Sequence, residues 1–140
     1  MRDHRKTAQQ MLSDNPILET KLLKASGLAV KDVEPLLGEL VRYLELIGTT
    51  GERLTPSHTI DLAWHELILF TRYYSRYCKE RYGRYIHHQP GDDEAENRRC
   101  FKRTHYWYRH RYAEDPDPRF WGRVIAEVAD SSDCGLCSQD

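Results

Sequence analysis

The segment that opens at Thr55-Pro56 and meets no stop before Gly83 is the feature that most limits how this chain can fold. Threonine followed by proline is a helix cap with proline at the first helical position, where its missing N–H costs nothing. Glycine at the far end readily takes the left-handed conformation that closes helices. Stepping about 100° per residue, Ile60, Trp64, Leu67, Phe70, Thr71, Tyr74 and Cys78 share one broad face, with Leu62 and Leu69 on the opposite flank. A helix apolar over so much of its circumference must be surrounded by others. The segment therefore predicts a long central helix from about Pro56 to Tyr82.

The flanking sequence predicts its neighbours. Asn15-Pro16 is a break, after which Ile17, Leu18, Leu22 and Leu23 recur at helical spacing until Gly27. A second helix starts near Asp32, with Pro35 tolerated in its first turn, and places Val33, Leu36, Leu37, Leu40, Val41, Leu44 and Ile47 along one side until Gly48-Thr-Thr-Gly51. After the central segment, Arg84 to Gly91 reads as a connection because Pro90-Gly91 is a turn signal. A further helix starts near Asp92 or Asp93, with Phe101, Tyr108 and Tyr112 inward. Asp117-Pro118 repeats the cap-and-proline signature before a last amphipathic helix carrying Phe120, Trp121, Val124, Ile125 and Val128. No convincing alternation marks a strand. The fold class is all-α, a compact single-domain helical bundle of about five helices around the long one, spanning 1–130, with a flexible Cys-containing tail at 131–140.

Size and charge bound the function. At 140 residues the chain suits one core, since domains cluster near roughly 100–150 residues. With 39% hydrophobic and 31% charged residues it is of ordinary globular composition. A net charge of -1 and a pI near 6.7 argue against a globally basic nucleic-acid binder. The polar N-terminus and the lack of any apolar run of about 18 residues point to a cytoplasmic protein with no membrane segment.

Chemistry concentrates in Pro56-Ser-His58-Thr-Ile-Asp61-Leu-Ala-Trp64-His65-Glu66. His58, Asp61 and His65 fall within about 60° on a helical wheel, so three potential ligands share a stripe. Imidazole and carboxylate suit Zn2+ or another divalent transition metal, and three protein ligands would leave a position open for water. The carboxylate could instead hydrogen-bond an imidazole. Arg72, Ser75, Arg76 and Lys79 lie on the same side, so the stripe is equally readable as a solvated face. His65-Glu66 starts a zincin-like motif, but Leu69 stands where its second histidine belongs. A connection returning from the helix end can lay His87 or His88 across the stripe. Cys78, about 140° from His65 on an unbroken helix, could join only through a bend and reads first as a core thiol. Cys134 and Cys137 form one CxxC, half of a structural zinc site.

The run from Pro56 to Leu69, followed by Tyr73-Tyr74, Cys78, Gly83 and His87-His88-Gln89-Pro90, resembles the segment shared by the glycine-rich domain-containing protein family. The resemblance covers the middle third of the chain and rests on the Asp61-x-x-Trp64-His65 core. It implies that Asp61, Trp64, His65, Cys78 and His87 belong to one constellation. The chain departs from that family in Glu66-Leu67, where some relatives carry a second histidine, and in a tail reduced to Cys134-Gly-Leu-Cys137.

These readings point to a metal-associated accessory or protein-interaction module centred on Asp61 and His65, with a protein partner. His58, His87 and His88 are additional candidate ligands, and Cys78, Cys134 and Cys137 further ones. Two alternatives stay open. A metal-dependent hydrolase would use the open position to activate water, with Glu66 as proton acceptor despite lying about 100° from His65. A nucleic-acid-binding module would use Arg98 to Tyr112, where basic and aromatic side chains interleave, against the simpler reading of arginines paired with nearby carboxylates.

Overall fold

The polypeptide organises itself around the helix that follows Asp32. In the computed structural model, which describes residues 3–122, a 3-10 turn at Val30–Asp32 runs into α3 at Val33–Thr50, and every residue from Leu36 to Leu46 is buried. Before it come α1 (His4–Asp14) and α2 (Leu18–Ser26), and after it α4 (His58–Ile68), α5 (Thr71–Tyr82), α6 (Glu94–Tyr112) and the short α7 (Pro118–Trp121). The described residues are all-α, with no strand. Helices α1, α2, α4, α5 and α6 all pack on α3.

The central element is thus α3 and not the segment after Pro56. Its apolar residues Leu36, Leu37, Leu40, Val41 and Leu44 carry the core, as their spacing predicts. Three of its charged residues are also covered. Glu39, Arg42 and Glu45 recur every third position and meet the hydroxyls of α6. Tyr108 donates to Glu39 Oε1 at 2.6 Å and accepts from Arg42 at 2.7 Å; the Tyr112 hydroxyl lies 2.7 Å from Glu45 Oε1. The Arg42 guanidinium stacks over the Tyr112 ring at 4.4 Å, and Trp121 of α7 donates to Glu39 at 2.8 Å. Buried carboxylates are tolerated because each is answered by donors.

The predicted long helix is two helices. α4 ends at Ile68, Phe70 leaves the helical region with ψ at 68°, and α5 starts at Thr71. Neither glycine nor proline marks the break. Its physical reason is tertiary. On a straight helix Trp64 and Tyr74 would stand about 15 Å apart along the axis. The bend instead folds Tyr74 back until its hydroxyl accepts the Trp64 indole N–H at 2.9 Å. The bundle also has one more N-terminal helix than the periodicity predicts. α1 buries only Ala8 and Met11, too few apolar residues to register as a pattern, and is started by the Asp3 carboxylate capping the Arg5 and Lys6 amides. Helix α6 starts at Glu94 behind an Asp93 cap and buries Phe101, Tyr108 and Tyr112 as expected. Of the predicted last helix, Phe120 and Trp121 are buried in α7, whereas Val124, Ile125 and Val128 lie outside the described residues. Among the described residues no helix is long and apolar enough to cross a membrane.

Candidate metal centre

The site is built on α4. Its Ser57 cap accepts the Ile60 amide at 3.1 Å and donates to the Phe120 carbonyl at 2.5 Å, which ties the start of α4 to α7. Ile60, Ala63, Trp64 and Leu67 face the core. That phase leaves Asp61 and His65, one turn apart, on the outer side. Their side chains are 34% and 56% exposed.

The third member arrives from the connection after α5. Gly83, at φ 77°, closes α5 and lets the chain turn back over α4. Ile86 anchors the returning strand of chain: its side chain is buried and its carbonyl accepts the Tyr74 hydroxyl at 2.6 Å. Two residues on, His88 is partly buried, whereas His87 between them is exposed. The His88 ring sits 4.4 Å from Trp64 and 4.3 Å from His65 between ring centroids. Its Nε2 lies 2.6 Å from Asp61 Oδ1, while His65 Nε2 lies 4.0 Å from Asp61 Oδ2. His88 is the most sheltered of the three, with a side chain 13% exposed.

Asp61, His65 and His88 form a group that could hold a metal ion, their ligand atoms all within 4.8 Å of one another. Two imidazoles and a carboxylate match the nitrogen and oxygen donors of three-ligand zinc sites and of related transition-metal sites. Metal–ligand distances near 2.0–2.1 Å place tetrahedral donors roughly 3.3 Å apart. The present spacings, 2.6 Å from His88 to Asp61 Oδ1 and 4.0 Å from His65 to Asp61 Oδ2, lie on either side of that value.

The other sequence candidates are placed differently. His58 is exposed and lines the same cleft but stands outside the group of three. His87 is exposed and packs edge-on against Tyr85 at 4.7 Å. Cys78 is fully buried, and burial pushes its thiol above the ordinary range; the bend after α4 does not bring it into the group. Cys134 and Cys137 lie outside the described residues. Glu66 is half-buried and is not part of the cleft wall. On α6, Arg98, Arg99, Arg103, Arg109 and Arg111 each lie within ion-pair distance of a carboxylate, from Arg99 to Glu96 at 2.5 Å to Arg98 to Glu94 at 4.0 Å. Tyr74, which positions both Trp64 and the His88 connection, is a site residue that helical spacing assigns only to the core.

A family model matches residues 5–124, nearly all of the described chain. The chain belongs to the UCP032817-like family. The match takes in α1 as well as the segment from Asp61 to His88, so the family membership concerns the whole bundle and not the histidine segment alone. No curated protein and no solved structure matches the UCP032817-like chain significantly.

Proposed function

We propose that this protein is a metal-dependent binding module that holds Zn2+ or another divalent transition ion on Asp61, His65 and His88. The observation that carries the reading is the convergence of three ligand atoms within 4.8 Å from two separate stretches of chain, at the wall of a cleft. In a loaded protein, Asp61 and His88 would exchange their 2.6 Å mutual hydrogen bond for bonds to the ion, with His88 Nε2 presenting its lone pair. The remaining coordination positions open on the cleft, available to water or to a donor from a bound molecule.

A binding role is favoured over hydrolysis because Glu66, the proton acceptor the sequence offers, is off the cleft wall. The likeness to glycine-rich domain-containing proteins is consistent with this reading through the Asp61-x-x-Trp64-His65 core, and it stays a proposal alongside it.

The test is elemental analysis of tag-free protein as purified and after supplementation with zinc. About one ion per chain is expected, lost in His65→Ala and in His88→Ala with helical content retained, and kept when Cys134 and Cys137 are replaced by serine. A parent protein that takes up no metal, or a His88→Ala variant that keeps it, overturns the proposal.

A further inference from the structure

The cleft beside the triad is far larger than an ion requires. It encloses about 780 Å3, within the range of roughly 300–1,000 Å3 typical of small-molecule sites. Its wall has two chemistries. Tyr43, Trp64, Phe101, Phe120 and Trp121 line it, each less than a tenth exposed and held by the bundle, so the apolar side is preformed. Arg53 and Glu52 are charged residues of the lining from the chain between α3 and α4.

The charges there do not cancel. Glu52 is engaged by Arg103 at 3.5 Å, and Asp61 is committed to His88 and, in the loaded protein, to the ion. Arg53 uses only its backbone carbonyl, which accepts from Arg103 at 2.9 Å; its guanidinium makes no hydrogen bond or ion pair among the described residues, and its field reaches Glu96, which is already bonded to Arg99. A guanidinium and a divalent cation lining one cleft with aromatic walls would select an anion with an apolar body.

We propose that the cleft binds a small molecule bearing a carboxylate or phosphate on an aromatic or other apolar body, with Arg53 and the metal ion supplying the positive charge and the aromatic wall holding the body. The inference rests on the metal reading above and names the ligand class of that same site.

The experiment uses full-length protein loaded with zinc, its metal content measured before any ligand is added. Benzoate and phenyl phosphate are titrated calorimetrically, with benzamidine as the cationic control of the same shape. Binding of at least one of the two anions is expected, with affinity lowered about tenfold in Arg53→Gln while the metal content of that variant equals the parent's. The stronger of the two anions assigns the carboxylate or the phosphate class. Failure of both anions to bind, equal binding by Arg53→Gln and parent, or benzamidine binding as well as the anions would each overturn the ligand class and leave the metal reading standing. Absence of metal before titration overturns both, and is read in a separate measurement.

Discussion

The Tyr74 hydroxyl accepts the Trp64 indole N–H at 2.9 Å and donates to the Ile86 carbonyl at 2.6 Å, so one oxygen joins α4, α5 and the connection that delivers His88. Trp64 in turn packs against the His88 ring at 4.4 Å. Removing that oxygen leaves an indole donor and a carbonyl unanswered in the core and frees the backbone two residues before His88. Tyr74→Phe is expected to cost about 1–3 kcal/mol of stability and to weaken metal affinity roughly 10- to 100-fold. Tyr112→Phe, which removes a buried hydroxyl bonded to Glu45 on the far side of α3, is the control. If competition with a chelating dye shows the same metal affinity in both variants, Tyr74 is structural and does not position the site.

Packing of α5 on α3 depends on a missing side chain. A Cβ built on Gly48 would collide with the ring of Tyr82. Alanine gains about 1 kcal/mol of helix propensity over glycine, but overpacking costs typically 1–3 kcal/mol. Gly48→Ala is therefore expected to be destabilising by about 1 kcal/mol in the parent and stabilising once Tyr82→Ala has removed the ring. A double-mutant cycle by urea unfolding measures the coupling, and additive effects would contradict it.

What the sequence foretells and what it hides follow from where the forces lie. α3 and α6 are legible because their inward residues recur at 3.6-residue spacing, Leu36, Leu40 and Leu44 in one and Phe101, Tyr108 and Tyr112 in the other, and α6 also has the local Asp93 cap; Asp32 before α3 makes no side-chain cap bond. The bend between Ile68 and Thr71 is not, since the apolar period continues across it and the compensating Trp64–Tyr74 bond closes only in three dimensions. Asp61 and His65 are legible as a pair because one turn separates them. His88 is one of two adjacent histidines, and the one signal in its favour is that it stands two residues from Ile86, which is buried, while His87 is exposed. Arg53 carries no signal, because its place in the cleft lining is set only in three dimensions.

Glu39 is the polar hub of the bundle. Its carboxylate accepts from Tyr108 and Trp121 and lies 3.9 Å from Arg42, and the residue is 8% exposed. Glu39→Leu would leave the buried Tyr108 and Trp121 donors without their acceptor, while Arg42 keeps Glu114 at 3.0 Å, and a loss of about 2–5 kcal/mol is expected. Glu39→Gln keeps an acceptor oxygen and should cost about 1 kcal/mol, or a little more for the lost charge. Urea unfolding of both variants checks the order. A leucine variant as stable as the glutamine one would mean that these donors find other partners.

His105 makes stability depend on pH. It is 1% exposed; its Nδ1 donates to the Phe101 carbonyl at 3.0 Å, and its Nε2 is buried with no partner among the described residues. The ring is packed between Phe101 and Trp121. Burial, against the opposing Phe101 bond and with a smaller contribution from Arg109, pushes its pKa from 6.5 down to about 4. Folding therefore favours the neutral ring, and the unfolded chain binds the proton more readily. The resulting stabilisation is whole above about pH 6.5 and is lost as pH falls toward about 4, by about 2–3 kcal/mol at pH 4.5. His105→Phe removes both the titration and the unpartnered nitrogen. Between pH 7 and 4.5, the parent should lose about 2–3 kcal/mol more stability in urea unfolding than His105→Phe does, and equal losses would show that His105 is not the group that titrates.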